Sequence, residues 1–594
     1  MDKAHKYNMG IIGNCAYLAL INSRASVSWL CWPRFDSSPK FGSLLDEQQG
    51  GDFQVTSADA QATTSQYYVE NTNVLVTEFH AKDGVFKVID FAPRFYQYER
   101  FFKPLMLFRK IERVSGNPKV IVNCDPKDSF NQASSETKTG SNHIRYEGFE
   151  QPMRLTASMG LTYILEKKAF TLTRNEYLAL SFGVPLEAPL DSVTEEFYHK
   201  TVHYWRNWVQ HSTVPALAQQ QVIRSSLVLK LHQYEDTGAI IASATTSLPE
   251  SPGSGRNWDY RYCWMRDTFY TLAALRNIGH GQEMAEYAHY IENLPVSAEG
   301  RYQPLYSIST NPDIDEKELP LRGYQQNGPV RVGNQAREHI QNDVYGQILV
   351  SLMPLYTDKR FIGNGYETNS QLINNLLNQI EKTMDEPDAG LWEFRNISQQ
   401  HCYTFLFHWA GAKAAIQIGK AVNDDALLSR GEKLVKLAEH KIEQCYDPEI
   451  GAYYQAIGNK NFDASLLQLI TMNYLDPGSE KAKSHLQALE KELKGRNGLF
   501  FRYKHEDDFG MPETTFLICA FWYVEALACV GRLNEAIEVF EELVQYGNHL
   551  GLLSEDVHEI NGSQWGNFPQ AYSHVGLMNA AFRIARKLDK PEFL

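Results

Sequence analysis

The apolar pattern changes period between about residues 185 and 216, and a chain with such a change has to fold as two differently built units. From roughly 8 to 185 the apolar segments are short and rich in β-branched and aromatic residues: "VSWLCW", "NVLVTEFHA", "VFKVIDFAP", "KVIVNCD", "LTYILEK" and "YLALSFGV". Gly, Asn, Asp and Pro clusters separate them, the pattern of an antiparallel sandwich. In "PLDSVTEEFYHKTVHYWRNWVQ" the residues Val193, Phe197, Val202, Trp205 and Trp208 fall on helical spacing, with Asp191 or Ser192 placed to cap the helix. From about 216 helical patterns dominate, running from "QQVIRSSLVLKLHQY" and "TFYTLAALRNIG" to "TTFLICAFWYVEALACVG" and "AYSHVGLMNAAFRIARKL". Some are apolar nearly all round and others carry one strongly charged face, which predicts an inner and an outer helical layer. With 594 residues, too many for one ordinary core, the expected division is a β-sandwich over 1–190, a connecting helix over 191–215 and an all-α unit over 216–594.

Charge narrows the partners. The net charge of −14 and the lack of any Lys/Arg run argue against a nucleic-acid surface. No segment reaches the ~18 apolar residues of a spanning helix, so no membrane partner is expected. The opening "MDKAHKYNMGIIGNCAYLALI" is basic and then apolar. Asn14 interrupts its apolar patch and no small-residue cleavage site follows, so it reads as part of the fold. Eight cysteines without CxxC spacing point to reduced, mostly buried thiols and a cytoplasmic setting.

One stretch asks for a ligand. "NWDYRYCWMRD", Asn257 to Asp267, puts Trp258, Tyr260, Tyr262 and Trp264 among Asp259, Arg261, Arg266 and Asp267. Four charges do not enter a core unless they are paired or hold something polar. Aromatic faces beside charged hydrogen-bonding groups suit a sugar, with its C–H faces and hydroxyl rim. Glycoside cleavage takes two carboxyl groups, one protonated and one ionised. Two loops offer them. In "DAGLWEFR", Glu393 follows Trp392 and a Gly-led turn, an apolar setting of the kind that raises a carboxyl pKa. In "GLLSEDVHEINGSQWGNFPQAYSH", Glu555 precedes a loop rich in Gly, Asn and Gln, a wetter place that leaves a carboxylate ionised. The zincin, P-loop and GxSxG patterns are absent, "PDIDEKE" lacks the Gly and final Glu of a calcium loop, and no cofactor or metal is expected.

In order along the chain, "IGNCAYLALINSRASVSWLCWPRFDSSPKFGSLL", "ATTSLPE", "RNWDYRYCWMRD", "GPVRVGN", "QNDVYG", "GLWEFR", "TFLICAFWYVEAL" and "LLSEDV" followed by "GNFPQAYSH" resemble glycoside hydrolase family 15, the glucoamylase and bacterial trehalase-like family. The resemblance implies an (α/α)6 barrel behind the N-terminal β-sandwich, and inverting release of glucose from a nonreducing end. It implies Glu393 as general acid and Glu555 as general base. Tyr260, Trp264, Arg266 and Asp267 then hold the terminal glucose, with Arg502 from "FRYKHEDDFGMPETTF", Trp392 beside the acid and Tyr572 near the base. The expected activity is of glucoamylase type on α-glucans or α-glucosides. Alternatives are a trehalase, an isomaltose-type α-1,6 glucohydrolase, a disaccharide phosphorylase and an inactive glycan-binding protein. Glu555 speaks against phosphorolysis, in which phosphate replaces the base, and retention of both acids speaks against an inactive barrel. Phe405 and Leu406 stand where the family's polar pair is expected after His401, which leaves the linkage open.

Overall fold

The computed structural model describes residues 4–128, 130, 133–361 and 368–588. Its N-terminal part is built on two antiparallel sheets. One runs in the order Met9–Gly13, Leu18–Asn22, Ser26–Cys31, Phe53–Ser57, Lys119–Cys124 and Phe170–Thr171, with Pro39–Phe41 beside the third strand. The other runs Glu136–Thr139, His143–Glu147, Met153–Ala157, Glu176–Phe182, Met106–Gly116, Gly84–Phe91, Leu75–Ala81 and Thr63–Tyr68. Strand alternation decides what each sheet face does. Leu75, Val88 and Leu107 point into the core shared with Val27, Leu30 and Val55 of the first sheet. Their neighbours Val76, Ile89 and Phe108 point the other way, onto the connecting helix Leu190–Gln210. Between the sheets the buried pair Arg109–Asp90 (2.7 Å) is completed by the carbonyls of Ala25 and Phe53, so no charge is left without partners there.

The first sheet turns its outer face, with Ile11, Leu20 and Trp29, to the helical part. There the helices Met265–Ile278, Val344–Thr357, Cys402–Val422, the short Ala464–Thr471 turn-and-helix, Leu517–Cys529 and Ala571–Lys587 contact one another in sequence, and the last returns to the first. An outer set covers them: Gln219–His232, Gly281–Glu292, Ser370–Thr383, Asp425–Glu443, Glu480–Leu493 and Leu533–Val544. This is the (α/α)6 barrel with an N-terminal sheet-rich domain. Every residue of Leu517–Cys529 is buried, as an inner helix requires, whereas Asp425–Glu443 buries only a stripe. Among the described residues no helix is long and apolar enough to cross a membrane. All eight cysteines are free thiols, seven of them buried.

Two local expectations fail. "LTYILEK" forms a short helix, Leu161–Leu165, rather than a strand: Ile164 alone of that helix is buried, and Tyr163 and Leu165 face solvent, so its β-branched and aromatic residues have no sheet face to fill. The connecting helix starts one residue early, after Pro189, and no side chain caps it. Asp191 lies in its first turn, where a negative charge meets the positive helix end.

Candidate active site

The loops before the inner helices converge at one end of the barrel around a pocket of about 790 Å3 counted to its open mouth. Glu393 and Glu555 both line it, as do Tyr260, Arg266, Trp392, Arg502 and Tyr572. Trp264 is buried one layer behind the wall, and Asp267 stands beside Arg266 with its side chain equally exposed, at 14 %.

Glu393 is presented by a strained turn. Its own φ is +62°, in the left-handed region that a glutamate rarely adopts and that is over-represented where function fixes the backbone. Three residues earlier Gly390 has φ +67°, and a Cβ there would sit 2.7 Å from the His401 ring. The buried Asp388 carboxylate ties the turn down, accepting from the N–H groups of Gly390 (3.1 Å) and Asn342 (2.8 Å) and from the Thr404 hydroxyl (2.9 Å). Trp392 is pinned by its Nε1–H to Asp463 (3.0 Å). The Glu393 carboxylate then receives three donors on Oε1: Trp264 Nε1 at 2.6 Å, Arg266 at 3.3 Å and Gln341 at 3.5 Å. The indole that meets this acid meets it with its N–H, so the apolar setting expected from "GLWEFR" is a polar one.

Glu555 lies across the pocket at the start of the strand Asp556–Val557, paired on either side with Thr515–Phe516 and Gln564–Trp565. The Tyr260 hydroxyl donates to its Oε1 (2.7 Å) and the Asn567 N–H to its Oε2 (3.1 Å). Gly566 (φ +73°) crosses directly beneath, and a Cβ there would be 2.5 Å from the carboxylate. This loop is not wet. Glu555 is 1 % exposed, and the carboxylates of Glu250 and Asp556 come within 4.8 Å of its own. Burial first, and the Glu250 charge second, push its pKa up to about 8. Asp556 is raised by the same causes. Gly, Asn and Gln here mark a loop packed under other chain segments: His5 stacks on Trp565 (4.4 Å) and the Tyr7 hydroxyl donates to the Gly566 carbonyl (3.0 Å).

The eleven-residue stretch Asn257–Asp267 divides by function. Asp259 and Arg261 form a buried bidentate pair (2.9 and 2.7 Å) that also holds the Gly333 N–H and, across the domain boundary, the Ser37 carbonyl. Tyr260 and Trp264, with ring centroids 5.2 Å apart and nearly perpendicular, give one donor to each catalytic candidate. Arg266 contacts Glu393 and the Leu391 carbonyl. Asp267 Oδ1 makes an ion pair with Arg266 Nε at 3.6 Å but no hydrogen bond, and burial pushes the Asp267 pKa up to about 7. Arg502 is locked in an ion pair with Glu250, whose other oxygen accepts from Trp258 Nε1 (2.9 Å). Tyr572 closes the floor against Tyr270 and Trp522, its hydroxyl unpartnered.

Several lining residues escaped the sequence reading. Glu250 ends "ATTSLPE" and looks there like an ordinary loop acid. Phe509 forms the mouth with Trp258, which the aromatic stretch of the sequence already marks, with the Arg395 guanidinium over both rings (5.1 and 4.9 Å) and Arg256 bound to Asp507 (2.5 Å). The signal available was the Arg–Asp–aromatic composition of "RNWDY" and "EDDF". For a cation, the described residues group Glu250, Glu555 and Asp556, and the Arg502 guanidinium already answers Glu250 there.

Comparison with known proteins fits this geometry. Residues 216–582 match the model of glycosyl hydrolases family 15, and residues 3–183 match the trehalase-like N-terminal domain. Proteins named trehalase from Thermoplasma volcanium (31 % identical over 98 % of this chain and 93 % of that one) and Thermoplasma acidophilum (32 %, 96 % and 98 %) are similar end to end. So is one from Mycolicibacterium smegmatis (28 %, 98 % and 92 %). A solved bacterial glucoamylase complexed with acarbose shares the fold, with TM-score 0.70 at 15 % identity over 99 % of this chain and 95 % of that one.

Proposed function

Since the chain belongs to glycosyl hydrolases family 15, we propose that it is a trehalase, cleaving the α,α-1,1 bond between two glucose units with inversion at one anomeric carbon. The observation that carries the reading is the end-to-end similarity, at 31 and 32 % identity, to two proteins named trehalase. This displaces the glucoamylase-type expectation, for which the likeness to a glucoamylase structure at 15 % identity supports the fold alone.

In this reading one glucose lies on the pocket floor, against Trp392, Trp522 and Tyr572, with Arg266 and Arg502 reaching its hydroxyls. The leaving glucose fills the mouth, where Trp258 and Phe509 supply a face and Arg256, Arg395 and Asp507 a polar rim. Glu393 protonates the bridging oxygen. Glu555 takes the proton from a water that attacks the anomeric carbon from the opposite side, a displacement that needs carboxyl groups ~6.5–9.5 Å apart. Tyr260 holds the attacking side's carboxylate and Trp264 the leaving side's. Inversion then releases one β-glucose, from the attacked ring, and one α-glucose, from the leaving ring.

The test is glucose release from trehalose, maltose, isomaltose, kojibiose and maltoheptaose in phosphate-free buffer, with the anomers followed by NMR. Trehalose is expected to have the highest kcat/KM and to give both anomers at once. A higher kcat/KM on maltose or maltoheptaose refutes the substrate, two α-anomers refute inversion, and formation of glucose 1-phosphate when phosphate is added refutes hydrolysis.

A further inference from the structure

On the Glu393 side, the wall of the catalytic pocket ends in a histidine that the fold itself does not use. His339 follows the 3₁₀ turn Gln335–Glu338, whose first N–H groups are met by the Asn334 side chain, and this segment brings Asn334, Ala336 and His339 to the pocket lining. Two residues later Gln341 sends its amide to Glu393 (3.5 Å). The turn does not need the imidazole, because backbone closes it: the His339 N–H donates to the Ala336 carbonyl (3.0 Å).

The half-buried ring is left unbonded. Where the fold relies on an imidazole it uses both nitrogens: His5, His232, His485 and His574 each have partners at Nδ1 and at Nε2. Among the described residues His339 has a hydrogen-bond or ion-pair partner at neither. Its Nδ1 is closed off, which leaves Nε2 as the nitrogen able to meet another molecule. The ring borders two spaces, the catalytic pocket and a groove of about 870 Å3, counted to its open side, that Tyr302, Gln303 and Tyr345 also line.

The charges around the ring give its place along the pocket. Those that act on it most are Glu393, Arg395, Asp508 and Glu338, and Glu555 is not among them. Arg395 lies over the Trp258 and Phe509 rings of the mouth, and Asp508 accepts from the Asn396 N–H (3.1 Å). His339 therefore stands between the acid and the mouth. Burial lowers its pKa below the ordinary imidazole value, against the pull of the Glu393 charge, so near neutral pH the ring carries one donor and one acceptor nitrogen. A sugar hydroxyl can give to such a ring or take from it.

A plainer reading makes His339 a spacer that fills the gap between two loops. An apolar ring serves that purpose better, because a polar nitrogen closed off without a partner costs free energy. We propose that His339 is a specificity-determining residue of this pocket, its Nε2 bonding a hydroxyl of the leaving sugar while its ring separates the pocket from the groove beside it. This rests on the reading of the mouth as the place of the leaving glucose. A substrate whose leaving group has no hydroxyls is then blind to the imidazole.

The test compares kcat/KM on the best-cleaved disaccharide, expected to be trehalose, with kcat/KM on α-glucosyl fluoride, for the parent, His339→Phe and His339→Gln. Phenylalanine keeps the ring and removes its nitrogens. The disaccharide-to-fluoride ratio is expected to fall about tenfold in that variant, the range of one hydrogen bond to substrate. Glutamine, whose amide reaches toward the place of Nε2, is expected to recover part of the ratio. Should the phenylalanine variant fail to fold, His339→Ala serves with the same expected fall. The proposal is overturned if the ratio stays within twofold of the parent's in a folded variant, whether or not both rates drop together, or if glutamine serves no better than phenylalanine. A parent that cleaves neither substrate refutes the functional reading beneath the proposal, whereas a parent that cleaves both with an unmoved ratio in the variants refutes the role of His339 alone.

Discussion

The two sides of the catalytic pocket are built from opposite materials. Glu393 stands among donors, the Trp264 indole, Arg266 and Gln341, with its side chain 22 % exposed. Glu555 is sealed beside acids, Glu250 and Asp556, with Tyr260 and one backbone N–H for company. Read as an environment alone, the second favours a protonated carboxyl, the opposite of the base role that family position gives it. The contrast teaches that each carboxyl depends on its neighbours to rearrange before it can take the role that family position implies. To work in their assigned roles, Glu393 has to give up its donors to the sugar, and Glu555 has to lose a proton that Glu250 helps it keep.

The largest expected effect breaks the comparison outright. Glu393→Gln and Glu555→Gln should each lower trehalose turnover by ~10²- to 10⁴-fold, the range for general acid–base catalysis. They part company on α-glucosyl fluoride, whose leaving group needs little proton help. The Glu393 variant should recover much of its rate there and the Glu555 variant should not. Recovery in the opposite sense would exchange the two roles and make the resting environments the better guide.

Next in size is Trp264→Phe, which keeps a ring but removes the shortest donor to Glu393. About a tenfold loss in kcat is expected, near 1.4 kcal/mol, with the far melting transition little changed. An unchanged kcat would make Trp264 a packing residue, and Glu393 would have to be held by its strained turn and Arg266.

Glu250→Gln sharpens the other side. It removes the like charge that helps raise Glu555 and frees Arg502 to act on it, and both changes favour the carboxylate. Glu555 then ionises at lower pH, so the acidic limb of the kcat/KM profile should move from the region of about pH 8 toward lower pH. An acidic limb that stays in place, or moves upward, would remove Glu250 from the control of the base.

Much of this was legible in the residues. The change of period marks where sheets give way to helices, and all-apolar runs such as "TTFLICAFWYVEALACVG" name inner helices. "NWDYRYCWMRD" announces the site because four charges and four aromatics have no ordinary core use. What sequence could not carry is long-range burial. Glu555 looked wet because its loop is rich in Gly and Asn, yet a segment more than 550 positions earlier covers that loop. Glu250 looked idle because its partner Arg502 is 252 positions away. Trp264 looked like a sugar contact, but its buried place one layer back depends on how the helix Met265–Ile278 enters the barrel. The helices Gly281–Glu292 and Ser370–Thr383 passed unnoticed because their outer-layer faces are largely polar, and Ala464–Thr471 because it is split between a 3₁₀ turn and a single α-turn.

The smallest predicted effect asks whether the sandwich domain takes part in setting up the base. His5 and Tyr7 precede the first strand, yet they bind the loop that carries Gly566 and Asn567 under Glu555: His5 through the Gln564 carbonyl (2.8 Å) and the Trp565 ring, Tyr7 through the Gly566 carbonyl (3.0 Å). Tyr7→Phe removes only that last bond, typically a matter of ~0.5–1.5 kcal/mol. If the loop were braced for stability alone, the loss would appear in the melting temperature and leave turnover intact. If the brace also sets the angle of Glu555, kcat should fall by about two- to fivefold on trehalose and on α-glucosyl fluoride alike, since both need the activated water. A fall on trehalose that the fluoride relieves would place the effect on the Glu393 side, and the division between the two walls of the pocket would have to be redrawn.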